Sequence, residues 1–179
     1  QIMDISFEEW HGCKNFFIIL HLHEDKKDIL NLIKREYRLI FSQIGTDCDG
    51  ILVVLYSTAN QKLQKELIII NKDGSLADNC GNGLRCAAAS ILKQPQNQSN
   101  KKITINIKDK FFTCSRLSSD DKTYHILIRM PPPVLDDNNL WDSNIKNIVK
   151  NVTALNPDKI GTCTIGNKHL VLFVDQLTR

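Results

Sequence analysis

The chain has 179 residues, enough for one large domain or two small ones at about 100 to 200 residues per domain, and too few for a multi-domain machine. With 42% hydrophobic and 24% charged residues and an excess of only three positive charges, it has the composition of a soluble globular chain and carries no basic stripe for nucleic acid. The expected partner is therefore a small molecule, or a second copy of the chain as a homodimer, with no nucleic acid and no membrane.

Six cysteines stand at 13, 48, 80, 86, 114 and 163, and no C-x2-C pair opens a zinc site. No metal is expected. Nothing resembles a signal peptide, and the apolar run Phe16 to Leu20 is too short to cross a membrane, so a cytoplasmic protein with reduced thiols is expected. In chain order, His11 to Asn15 reads as a polar turn and Phe16 to Leu20 as a buried strand. From Lys26 to Phe41 apolar residues recur at three- and four-residue intervals, which predicts an amphipathic helix covering a sheet. Ile51 to Leu55 and Leu67 to Ile70 read as strands flanking a polar loop, Asn60 to Lys65, and Asn71 to Ser75 as a turn. Leu84 to Leu92 is made largely of good helix formers with hardly any charge, so it predicts a helix buried on most sides, inside a sheet or barrel. Gln94 to Lys102 reads as an exposed loop. Strands are expected at 103–107, 111–114 and 124–130, the last two joined by a charged turn at 118–122, with Pro131 to Pro133 ending the run. A helix is expected over 140–149 and a final strand over 170–175.

The most informative stretch is Asn71-x-Asp73-Gly74-Ser75-x4-Cys80-Gly81-Asn82-Gly83-x-Arg85-Cys86, which sets a thiol immediately before the buried helix. Unpaired N–H groups and the helix dipole at that end favour an anion, and with it the thiolate. Gly81 and Gly83 uncover backbone N–H groups, so a carboxylate can approach the same end. A thiolate base beside a carboxylate pocket is the requirement of amino-acid racemisation, where the carboxylate is held while the α-proton is removed.

These residues carry a resemblance to the diaminopimelate epimerase family. Asn71 to Cys86 resembles its N-A-D-G-S-E-x-x-x-C-G-N-G-x-R-C nearly residue for residue. His11-Gly12-x-x-Asn15-x-Phe17 is similar to H-G-L-G-N-D-F, Gly45 to Leu52 to G-x-G-x-D-G/Q-L-L, Met130 to Pro133 to M-x-x-P, and Gly166-Asn167-x-His169 to G-N-P-H. The order is kept along nearly the whole chain. The resemblance implies an α+β fold in which each of two similar domains wraps a curved, mostly antiparallel sheet around a central helix. Residues 1–120 would form the N-terminal domain and 121–179 the beginning of an incomplete second one.

It further implies interconversion of LL- and meso-diaminopimelate, on the way to lysine and peptidoglycan, by proton transfer between two cysteines without cofactor, pyridoxal phosphate or metal. Cys80 would be one acid/base cysteine. Gly81 and Asn82 would contact the reacting end of the substrate through their backbones. Asn15, Asn71 and Asn167 would hydrogen-bond its carboxylate or ammonium groups, and His169 would line the site. Cys86 reads as core, and Cys13, Cys48, Cys114 and Cys163 as structural. The chain departs from the family where Cys13-Lys14 replaces Leu-Gly, Phe16 replaces Asp and Lys168 replaces Pro. A two-base mechanism needs a second thiol on the opposite face of the α-carbon. Cys80 follows Asn15 by 65 residues, so the equivalent Cys is expected roughly 60 to 65 residues after Asn167, past Arg179. None of the other five cysteines stands in a C-G-x-G context, so the chain is expected to lack the second base. Other readings of the same features are an isomerase of another amino acid and a non-catalytic binding protein of the same fold.

Overall fold

The computed structural model describes residues 6–44, 48–59, 61–135, 160–165 and 167–173. The chain divides into two compact units, Gln1–Arg129 and Met130–Arg179. The expected helix over 140–149 lies outside the described residues.

The first unit is built on a seven-stranded sheet in simple sequence order: β1 (Glu8–Gly12), β2 (Asn15–His23), β3 (Gly50–Ala59), β4 (Lys62–Asn71), β5 (Lys102–Ile107), β6 (Lys110–Ser119) and β7 (Tyr124–Arg129). Neighbours are antiparallel except β2–β3 and β4–β5. The two parallel steps are the ones that contain helices, α1 (Lys27–Ile44) and α2 (Gly81–Lys93), because a parallel connection needs a long crossover.

The two helices explain why β2 and β3 read as unbroken apolar runs. Ile18, Leu20 and Leu22 of β2 and Ile51, Val53 and Leu55 of β3 pack with Leu30 and Ile33 of α1 on one face. The alternate residues, among them Ile19, Leu52 and Val54, are equally buried. Strands covered on both faces need apolar residues at every position. Each such Leu or Ile contributes about 1.5 to 3 kcal/mol by leaving water.

Helix α2 touches all seven strands, so the sheet curls around it. Two features permit this. Ala87, Ala88 and Ala89 let the sheet approach closely, and all three are buried. A register shift between Arg116 and Ser118 bends the β6–β7 pair. The two edge strands then face each other across the opening, where Trp10 of β1 and Tyr124 of β7 meet edge to face at 5.7 Å. The α+β half-barrel around a central helix is the architecture expected.

Several elements differ from expectation in extent. His11 and Gly12 belong to strand β1 and not to a turn: it is an edge strand with alternate residues exposed, and its polar sequence conceals it. Residues 62–65 belong to β4, because the β3–β4 ladder of ten pairs runs beyond the core to Ala59↔Lys62. The first unit extends past residue 120 to Arg129, since β7 pairs with β6.

The second unit contains a three-stranded antiparallel sheet in the order β10-β9-β8, from β8 (Val134–Leu135), β9 (Ile160–Ile165) and β10 (Asn167–Leu172). Of these, only the β10 region was expected as a strand.

Candidate active site

Cys80 is the N-cap of α2, in extended backbone at φ −151° and ψ 101°. Its carbonyl accepts the Leu84 N–H at 2.7 Å and its Sγ accepts the Gly83 N–H at 3.3 Å, so the thiol occupies the place of the usual capping oxygen. The sulfur thus receives an N–H at the entrance of a thirteen-residue helix. Gly83 makes the geometry possible, because a Cβ there would stand 3.2 Å from both Cys80 Sγ and Leu52 Cδ2. Gly81 is different: a Cβ there would meet nothing nearer than the Arg85 guanidinium at 3.8 Å, so this residue keeps the helix end open.

Asn15 begins β2 and is joined to the helix end by its side chain, whose Oδ1 accepts from Asn82 Nδ2 at 2.6 Å. It is placed by the β1–β2 hairpin, in which Gly12 pairs with Asn15 across a two-residue loop. Cys13 and Lys14 form that loop at φ 50° and 70°, the left-handed conformation of a type I′ turn, here built without glycine. Gly12 lies against α2: a Cβ there would fall 2.9 Å from Cys86 Sγ and 3.1 Å from the Asn82 carbonyl oxygen. Arg85 closes the cluster by donating to Asn82 Oδ1 and, at 3.5 Å, to Cys13 Sγ.

Four of the seven expected site residues, Cys80, Gly81, Asn82 and Asn15, thus come together at the N-terminal end of α2. Asn71 ends β4, in the sheet row Phe17–Gly50–Asn71, about two strand spacings or 10 Å from Phe17. Its amide donates to Ser75 Oγ at 2.9 Å within the turn that follows, where Asp73 also accepts from the Ser75 hydroxyl and N–H. Those two bonds hold the Asp73 carboxyl below its ordinary range. Asn167 and His169 stand on β10 of the second unit, exposed, with His169 opposite Cys163.

Burial separates the other thiols from Cys80. It pushes Cys86 and Cys114 up to about 12 and also raises Cys48, so these three remain neutral thiols. Cys13, by contrast, is exposed and touches Arg85, and so belongs to the site's rim and not to the core. Arg85 and Cys13 are the site residues that sequence reasoning missed. The signal for Arg85 was its i+3 spacing from Asn82 on a helix. A cleft of about 630 Å³ runs along α2 from Cys13 and Arg85 to Lys93, walled by Trp10 and Tyr124; Cys80, Asn82 and Asn15 do not line it. Among the described residues, no group of three His, Cys, Asp or Glu side chains is placed to hold a metal, and no helix is long and apolar enough to cross a membrane.

A curled sheet around a central helix with a thiol at the helix entrance defines an α+β half-barrel with a candidate acid/base site. The fold is shared with a solved structure, the phenazine biosynthesis protein of the PhzF family from Bacillus anthracis, at a TM-score of 0.54 and 17% identity, over 93% of this chain and 53% of that one. The sequence is similar to curated diaminopimelate epimerases along nearly its whole length. It is 26% identical to that of Brachyspira hyodysenteriae over 178 residues, 29% to that of Prochlorococcus marinus over 188 and 27% to that of Oceanobacillus iheyensis over 184. These alignments cover 98 to 99% of the chain and 62% of each relative, so the chain spans less than two thirds of their length. No family model matches the chain.

Proposed function

We propose that this chain carries one half of a cofactor-independent epimerase site for diaminopimelate, with Cys80 as one of its two acid/base groups. The observation that supports this best is the Cys80 thiol at the N-cap of α2, next to an Asn82–Asn15 amide pair and inside the motif that resembles the epimerases. In the forward direction the Cys80 thiolate takes the α-hydrogen as a proton, and the electron pair left on the α-carbon spreads into the adjacent carboxylate. The N–H groups at the helix entrance and the Asn15 amide hold that carboxylate as its charge grows. An acid on the opposite face returns a proton to the α-carbon and inverts it. In the reverse direction Cys80 is the acid. The second group is assigned to the part of the relatives that this chain does not span, and Asn71, Asn167 and His169 remain assigned to substrate contact. The setting would be cytoplasmic.

The test is alkylation by iodoacetamide near neutral pH, followed thiol by thiol by mass spectrometry. Cys80 is expected to react at least about tenfold faster than Cys48, Cys86 and Cys114, which burial keeps protonated, and to be protected by diaminopimelate. If Cys80 reacts no faster than Cys114, the helix-end thiolate is wrong. If it reacts fast but diaminopimelate gives no protection, the substrate is wrong.

A further inference from the structure

We infer that Arg85 is a positioning residue that sets the polarity of the two site amides, and so decides that Asn15 meets a ligand with N–H donors. A guanidinium carries donors only. Whichever atom of the Asn82 amide faces Arg85 must therefore be its oxygen, which fits the Arg85 Nη2 to Asn82 Oδ1 bond. The Asn82 nitrogen is then turned toward Asn15, where it donates to Oδ1 at 2.6 Å. That bond uses the oxygen of the Asn15 amide and leaves its Nδ2 as the outer end of the chain.

The consequence is chemical selection. An amide alone can turn either end to a ligand at little cost, since oxygen and nitrogen have nearly the same shape. A chain of fixed polarity, starting on a cation, presents donors only and thus favours a carboxylate over a carboxamide or an ammonium. The arrangement is also held from below: Arg85, Asn82 and Cys86 share the first turns of α2, and Gly12 packs on Cys86 and on the Asn82 carbonyl. The 3.5 Å contact from Arg85 to Cys13 Sγ is the weaker branch and is not needed for this polarity.

That the ligand is diaminopimelate rests on the function proposed above, whereas the amide polarity does not, so the experiment reads the two separately. In the ligand-free 179-residue chain, labelled with nitrogen-15, the Asn82 side-chain NH2 should exchange slowly with solvent. Arg85→Met should speed that exchange at least tenfold, and Arg85→Lys, which keeps a donor, should stay within about threefold of the parent. Asn82→Asp, which satisfies Arg85 but offers Asn15 no donor, should turn the Asn15 amide round and slow the exchange of its NH2. This second variant leaves Arg85 in place and decides the matter should R85M not fold. With diaminopimelate and its bis-amide as probes of Cys80 protection, the preference for the carboxylate should fall about tenfold or more in R85M. Unchanged exchange of the Asn82 NH2 in R85M, unchanged exchange of the Asn15 NH2 in N82D, or an undiminished carboxylate preference in R85M overturns the inference. The expected exchange pattern without any protection by diaminopimelate supports the polarity and removes diaminopimelate as the ligand.

Discussion

The two ends of α2 both carry polar clusters inside the same curled sheet, yet they are wired differently. At the C-terminal end, Ser90 bridges His21 Nε2 at 2.7 Å and Glu8 Oε2 at 3.0 Å, Glu8 also accepts the Trp10 indole N–H, and His21 Nδ1 meets both Tyr56 and Gln94. Every bond leads back to another member, and burial pushes the Tyr56 hydroxyl up to about 12, so it stays protonated. At the N-terminal end the chain runs one way, from Arg85 through Asn82 to Asn15, beside a thiol whose helix entrance glycine keeps open. A closed network satisfies buried polar groups and holds β1, β2, β3 and the helix together. A directed one has an end, and an end can be offered to a ligand.

The largest effect expected from this contrast is on chemistry alone. Cys80→Ser keeps an N-cap oxygen for the Gly83 N–H, and serine is a better cap than cysteine, so thermal unfolding should be unchanged or up by at most about 1 kcal/mol. Exchange of the α-hydrogen of diaminopimelate with solvent deuterium should fall about 10²- to 10⁴-fold, the usual weight of a general acid/base. Equal exchange in the serine variant would remove Cys80 from the reaction.

The opposite end should respond the opposite way. Ser90→Ala leaves His21 and Glu8 each short of a buried partner, and about 1 to 3 kcal/mol of stability should be lost in urea unfolding, with Cys80 alkylation unchanged. The same network should be sensitive to acid. Burial holds the His21 imidazole below its ordinary value of 6.5, with Glu8 opposing the shift, so the unfolded chain takes up a proton first as pH falls. This contribution is therefore complete above about pH 6.5 and is lost below it. The fall in urea midpoint between about pH 7.5 and 5.5 should shrink in His21→Gln; an identical fall would assign the acid sensitivity elsewhere.

What could be read from the sequence follows the same division between local pattern and three-dimensional wiring. Strands β2 and β3 and helix α2 were legible because burial on both sides, or on most sides, forces an unbroken apolar composition. The thiol before the helix was legible because an N-cap is defined by two or three neighbouring residues. Strand β1 was not, since an edge strand needs few apolar residues, and Glu8, Trp10 and His11 take their meaning from Ser90, Tyr124 and Phe16, distant in sequence or across a turn. Asn71 was legible as part of a turn from its composition, and its amide donates to Ser75 within that turn. Arg85 stood inside the motif in plain view, but its partner beyond Asn82 is 67 positions from that residue, and no local pattern encodes the pairing.

The smallest effect concerns how the directed cluster is held in place. The hairpin that sets Asn15 turns through Cys13 and Lys14, both with positive φ, where an L side chain costs about 1 kcal/mol or more and glycine costs nothing. Lys14→Gly removes that cost at a position where the resembling family has glycine, while freeing the unfolded chain by nearly as much. The net gain should be no more than about 0.5 to 1 kcal/mol, seen as a small rise in unfolding temperature. The site should gain more than the stability suggests, because the Asn82 side-chain NH2, whose bond to Asn15 depends on the turn, should exchange more slowly still. A lowered unfolding temperature would mean that Lys14 supports the turn through its side chain, and that the left-handed pair is relaxed in this protein and not strained.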